Sequence, residues 1–143
     1  KRTYVFAHAY TPASIERCVR LGVRSIEHGN QLDDSSAREM ARCGAFLSQT
    51  IITYVALRES GEANGMPERL VKKVGALVEQ GVRSVGVAKR HGVRITYGSD
   101  LLSGMRSRQL EGFRPLLDGG LSAAEALATA TRNAAELVGL EAG

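Results

Sequence analysis

Short runs rich in β-branched and aromatic residues alternate along this chain with stretches whose apolar positions recur every three or four residues, the two periods of strand and helix. Residues 3–7 form the first such run, ending at His8. Thr11 and Pro12 then offer an N-cap and a proline at the first helical position, Ile15, Val19 and Leu21 give that helix one apolar side, and Gly22 stops it. Residues 23–27 make a second strand that ends at His28. Asp33 and Asp34 cap a helix over 35–42, with Ala37, Met40 and Ala41 facing inward and Gly44 closing it. A third strand, 45–48, ends at Gln49 and Thr50. Strand-plus-helix units of roughly 20 residues require parallel strands joined by crossover helices.

Beyond Thr50 the rhythm stretches. Residues 51–65 are semi-apolar and end in Gly61 and Asn64-Gly65, which suits a long loop or short helix lying over the strand ends, where substrate-binding loops are found. Pro67 opens a long helix to Arg90, with Leu70, Val74, Val78 and Val85 along one side and a kink expected at Gly81. A fourth strand, 93–97, leads to Gly98-Ser99-Asp100. A loop over 101–107 precedes a helix carrying Leu110, Phe113, Leu116 and Leu117. Ser122 and Glu125 form a capping box, and the alanine-rich helix it opens runs to Val138 before Gly139.

Composition narrows the class. With 43% hydrophobic and 24% charged residues the chain can bury a core, which excludes disordered and collagen-like readings. No apolar run reaches the length of a membrane span, so no membrane partner is expected. The net charge of +4 comes from arginines scattered along helical faces without interleaved aromatics, a solvated surface and not a nucleic-acid footprint. Cys18 and Cys43, each late in a helix, read as small buried thiols in a reducing compartment, and a cytoplasmic location is the expectation. The chain begins at Lys1 without a methionine and enters a strand almost at once, so an upstream segment is expected.

His8, His28 and Asp100 each stand at the C-terminal end of a parallel strand, where α/β folds assemble their sites. Two imidazoles and a carboxylate are the donor types of a hydrolytic zinc or similar divalent site. Tyr10, two residues past His8, is a phenol placed to polarise a carbonyl or an aromatic filling the rim. Thr50, at the third strand end, and Arg106 are candidates for substrate contact, the guanidinium for a carboxylate. His91 closes the long helix at the opposite end of the fold and is left out.

The motifs Ala7-His8-Ala9-Tyr10, Ile26-Glu27-His28-Gly29 and Gly98-Ser99-Asp100-Leu101-Leu102 occur in that order, followed by Ser122-Ala123-Ala124-Glu125-Ala126-Leu127 and Thr131-Arg132-Asn133-Ala134-Ala135. Together they resemble the later half of the amidohydrolase superfamily barrel, and within it the imidazolonepropionase-like and Xaa-Pro dipeptidase-like enzymes. The resemblance implies an α/β fold of parallel (β/α) units forming strands five to eight of a TIM-type barrel, with residues 1–143 an incomplete metal-dependent hydrolase domain.

It further implies that His8 and His28 are the fifth- and sixth-strand ligands of one metal. Asp100 would be the eighth-strand ligand of a second, taking the proton of a metal-activated hydroxide that attacks an amide or peptide bond. The implied cofactor is a divalent metal, most simply zinc, with two ions in the complete enzyme. The implied substrate is a small molecule, a dipeptide or a cyclic amide. The chain has no His-x-His and no strand-ending lysine before His8, so the remaining ligands must come from elsewhere. Alone it is expected to bind metal weakly, to turn over negligibly, and to associate with the missing barrel half or with itself through open strand edges. Arg106 and Arg108 stand where relatives often carry histidine. The alternative reading is a non-catalytic open-sheet α/β domain that binds a ligand without metal. A phosphate-binding module ranks lower, because no Gly-x-Gly-x-x-Gly or Walker-type loop follows any strand.

Overall fold

The structure, a computed structural model, describes residues 3–140; Lys1, the expected junction with an upstream segment, lies outside them. Four strands, β1 (Phe6–Ala9), β2 (Ser25–His28), β3 (Phe46–Gln49) and β4 (Arg94–Tyr97), pair in parallel in the order β1-β2-β3-β4. Parallel neighbours joined by right-handed crossovers in strictly sequential order place every crossover helix on one side of the sheet, which is how consecutive strands of a (β/α) barrel are arranged. A doubly wound sheet would reverse its order partway. The register aligns Ala7, Ile26, Leu47 and Ile95 in one row toward the helices. Ile26, Leu47 and Ile95 are buried there among Ile15, Val19, Met40 and Val85. The next row, His8, Glu27, Ser48 and Thr96, lies on the opposite face.

The helices follow their caps. α1 (Pro12–Arg20) starts on Thr11, whose hydroxyl accepts from the Ser14 N–H, with Pro12 at the first position. α2 (Asp34–Cys43) starts on Asp33, whose carboxylate accepts from the Ser36 N–H at 2.8 Å. α4 (Glu68–Arg90) is one continuous helix that includes Gly81. A Cβ at Gly81 would come within 2.9 Å of Ile51 Cγ1 and 3.0 Å of Asn30 Nδ2, so the missing side chain serves close packing.

Several boundaries differ from the sequence reading. β1 begins at Phe6, later than the expected residue 3, and extends through His8 to Ala9, because the ladder with β2 runs from the Phe6–Ser25 pair to the Ala9–His28 pair. In α2 Ser36, Ala37 and Met40 are buried and Ala41 is exposed, since the capping box turns the helix so that Ser36 faces inward. Cys43 is exposed and Cys18 half-buried; both are free thiols, and the expected burial of Cys43 is corrected.

Of the two readings of this stretch, long loop or short helix, residues 51–60 take the second as α3 (Ile51–Ser60), with Ile51, Ile52, Thr53, Tyr54 and Ala56 buried. A 3-10 turn, Glu62–Asn64, follows it. A second 3-10 segment spans Ser103–Gly112 and leaves Leu110 exposed, so the helix expected around Leu110 begins only at Phe113, as α5 (Phe113–Asp118).

The alanine-rich helix is two helices, α6 (Ala123–Ala130) and α7 (Arg132–Val138), broken at Thr131, whose φ of −122° and ψ of −97° are not helical. The break swings α7 across the starts of the strands. Asn133 donates to the Ile95 carbonyl at 2.8 Å, the Arg24 guanidinium donates to the Glu136 carbonyl at 2.9 Å, and Arg94 pairs with the Glu136 carboxylate. The starts of β2 and β4 are thus held by α7 and the strand ends left for the site. On the other edge Tyr4, Val5 and Phe6 are exposed large apolar residues. Among the described residues no helix is long and apolar enough to cross a membrane.

Candidate functional site at the strand ends

His8 and His28 meet although the sheet does not pair them. Register places His8 beside Glu27 and His28 beside Ala9. Strand alternation would send His28 to the same side as Ile26, into the helices. Instead the backbone of His28 takes a φ of +75° and that of Gly29 a φ of +55°, and the Gly29 N–H donates to the Ala9 carbonyl at 3.1 Å. A left-handed histidine is uncommon, and here it turns the ring back over the strand end. Its Nε2 comes 2.8 Å from His8 Nδ1, with ring centroids 4.9 Å apart.

The far side of the His28 ring is held from three directions. Its Nδ1 lies 2.7 Å from the Thr50 hydroxyl and 3.1 Å from the Tyr54 hydroxyl. Tyr10 stacks on the ring at 4.8 Å with planes 18° apart, and its hydroxyl lies 2.7 Å from that of Tyr54. Thr50 and Tyr54 are one helical turn apart at the start of α3, which is why both reach the same nitrogen.

Burial and the neighbouring His8 push the His28 imidazole below its ordinary pKa, while the Asp100 and Glu27 carboxylates pull the other way. The net effect favours the neutral ring, the form able to ligate a metal. Burial and the hydrogen bond with Tyr10 push the Tyr54 phenol well up, so it stays protonated across the working range.

Asp100 stands three residues past β4 with a φ of +47°, exposed, and its charge acts on both His28 and Tyr54. The expected ligand trio is therefore only partly assembled. The two imidazoles converge, and among the described residues no group of three or more His, Cys, Asp or Glu side chains is arranged to hold an ion. Thr50 is buried with its hydroxyl on His28. Arg106 is exposed on the 3-10 segment, and neighbouring Arg108 pairs with Glu59 and Glu111, each at 2.6 Å. His91 ends α4 at the opposite face, 2.7 Å from Asp34 Oδ1. Tyr54 is the residue that sequence reasoning missed; in the short-helix reading of this stretch its position four residues after Thr50 is the signal that places both at one strand end.

Sequential parallel strands with a histidine pair at their C-terminal ends define a segment of a (β/α) barrel scaffold. The chain belongs to the amidohydrolase family: the family profile described as Amidohydrolase family matches residues 1–143. Among solved structures it is similar to an amidohydrolase at 45% identity and a TM-score of 0.91, covering 97% of this chain and 33% of that one. It is similar also to a prolidase complexed with N-methylphosphonate-L-proline, at 44% identity and a TM-score of 0.90, covering 96% and 34%. A Xaa-Pro dipeptidase with methionine bound in its active site matches at 26% identity and a TM-score of 0.82, covering 97% and 34%. The chain thus spans about a third of the length of these structures. Comparison with curated proteins returned no match.

Proposed function

We propose that this chain forms part of the active site of a metal-dependent hydrolase that cleaves peptide bonds, dipeptides ending in proline being the substrate class. The observation that carries this reading is the convergence of His8 Nδ1 and His28 Nε2 at 2.8 Å with the opposite nitrogen of His28 anchored on Thr50. A metal-ligating histidine characteristically has its second nitrogen hydrogen-bonded in this way.

The pair fits a metal on its chemistry. Two imidazole nitrogens ligating one tetrahedral ion stand about 3.3 Å apart, given ligand distances of about 2.0–2.1 Å, so a half-ångström opening of the contact accommodates it. His8 and His28 are the residues that would hold the ion, zinc being the simplest choice. A divalent ion supplies Lewis acidity and lowers the pKa of water toward neutrality. The further ligands would come from strands beyond β1, whose exposed Tyr4, Val5 and Phe6 offer an apolar seam for a neighbouring element.

This chain's own residues do the rest. The Asp100 carboxylate, exposed at the strand ends, takes the proton of the attacking water and passes it to the leaving amine. The Tyr10 hydroxyl donates to the carbonyl oxygen as negative charge develops there. Arg106 receives the substrate carboxylate. The prolidase relative, solved with a proline phosphonate, supports the substrate class. The free cysteines support a reducing, cytoplasmic setting.

The test is elemental analysis of the intact protein followed by hydrolysis of Ala-Pro and Gly-Pro before and after chelation. Stoichiometric divalent metal, with cleavage lost on chelation and restored by zinc, is expected. Cleavage that survives complete removal of metal, or metal without cleavage of any dipeptide, would overturn it.

A further inference from the structure

Arg106 and Arg108 stand two residues apart on the 3-10 segment Ser103–Gly112, and their charges are used in opposite ways. Arg108 turns its fork on two carboxylates. Its Nε donates to both oxygens of Glu111, at 3.1 and 3.0 Å, and its Nη2 donates at 2.6 Å to Glu111 Oε2 and to Glu59 Oε2. Arg106 is exposed and pairs with no carboxylate among the described residues. A 3-10 helix turns once every three residues, so Arg108 eclipses Met105 and Glu111 while Arg106 is carried round to another side. Met105 and Arg108, both half-buried, mark the side toward the body of the protein.

A 3-10 run of ten residues is long for that geometry, whose hydrogen bonds are poorer than those of an α-helix, and it needs outside support. Two ties supply it. The Tyr97 hydroxyl donates to the Gln109 carbonyl, Tyr97 stacks on Phe113 with planes 15° apart, and Gly112 lies so close that a Cβ there would strike the Tyr97 ring. These contacts hold the segment to β4. Arg108 holds it through Glu59 to α3, the helix whose start carries the Thr50 and Tyr54 hydroxyls that meet His28. An isolated surface ion pair contributes little, but a bidentate arginine shared between two acids, its own side chain only 24% exposed, is the geometry that does.

We propose that Arg108 is a positioning residue: by clamping Glu59 of α3 to Glu111 of the 3-10 segment, it fixes where Arg106 meets the carboxylate of a substrate. Two acids already neutralise Arg108, which leaves Arg106 the cation available to an anionic group. This rests on the hydrolase reading above and adds to it the origin of a preference for a free C-terminal carboxylate.

The experiment compares, in the intact protein, hydrolysis of Ala-Pro with that of Ala-prolinamide, which lacks the carboxylate. Wild type should favour Ala-Pro in kcat/KM. Arg108→Ala and Glu59→Gln should each raise KM for Ala-Pro by about 10-fold, the scale of one misplaced charge-assisted hydrogen bond, with kcat held and the Ala-prolinamide constants little moved. Arg106→Ala should remove the preference altogether, and adding Arg108→Ala to it should cost nothing more, because one residue acts through the other. Amide exchange of residues 103–112 should quicken in Arg108→Ala and Glu59→Gln but not in Arg106→Ala. Equal losses on both substrates, unchanged exchange, or a further loss from Arg108→Ala in the Arg106→Ala background would overturn the positioning role while the hydrolase reading stands. Wild type that cleaves both substrates alike would remove the carboxylate preference and the role of the clamp with it. Absence of any cleavage would sink the hydrolase reading itself, and this inference along with it.

Discussion

His8 and His28 sit on adjacent parallel strands one residue out of register, and yet Nδ1 of the first and Nε2 of the second are 2.8 Å apart. The left-handed backbone at His28 is what brings them together, at a local conformational cost of order 1–3 kcal/mol. Nothing in the packing of β2 demands that cost, since alternation would have buried an apolar residue there without it. The pair is therefore where function acts on the fold.

His8→Ala and His28→Ala should each abolish tight zinc binding in the intact protein. Activity should fall by more than the roughly 10- to 100-fold that loss of a supporting partner produces. Isothermal titration with zinc alongside dipeptide hydrolysis checks this; a variant retaining wild-type affinity would remove that histidine from the ligand set.

Tyr10→Phe keeps the ring that stacks on His28 and removes only the hydroxyl. The expected effect is a loss of about 10²- to 10³-fold in kcat with KM little changed, the signature of a donor used in the transition state. An unchanged kcat would reduce Tyr10 to an aromatic filling the rim.

Asp33→Ala removes the side-chain cap of α2 and should destabilise the protein by about 1 kcal/mol at neutral pH. The Ser36 backbone N–H, and then its hydroxyl, hold the Asp33 carboxyl below its ordinary value of 3.8. The folded protein thus favours the charged form. This contribution is complete above the unfolded pKa and is lost as pH falls through the lower folded value. Melting curves of wild type and variant should converge from about pH 4 downward; a gap independent of pH would assign the effect to packing.

Gly81→Ala inserts a methyl group against Ile51 and the Asn30 amide, which itself donates to the Leu77 carbonyl at 2.9 Å. A cost of about 1–3 kcal/mol is expected from overpacking. Because Ile51 follows Thr50 directly, the strain should also disturb the His28 anchor. Denaturant melts report the first effect and zinc affinity the second; a neutral or stabilising outcome would show that α4 can shift without cost.

Features decided by a few adjacent residues were legible in the sequence. Thr11, Asp33 and Ser122 announce their helices because a cap is a local hydrogen bond. The histidines were legible because a polar residue ending a parallel strand has no packing role. Features decided at a distance were not. α3 is buried at Ile51, Ile52, Thr53, Tyr54 and Ala56, so it shows no one-sided periodicity, and Tyr54 went unnoticed with it. The break at Thr131 lies between stretches that both favour helix; it is fixed by Asn133 and Glu136 reaching Ile95, Arg24 and Arg94, far away in the chain. The exposure of Asp100 depends on a left-handed turn that aspartate tolerates but does not dictate.

The exposed thiol of Cys43 stands just before β3, at the starts of the strands, while His28 closes the end of β2. A strand of four residues, about 13 Å, separates the two levels. A maleimide dye or a surface tether attached at Cys43 would therefore leave the imidazole pair unobstructed, and half-buried Cys18 would react more slowly. Immobilised through that handle, the molecule would present its histidine end to the solution.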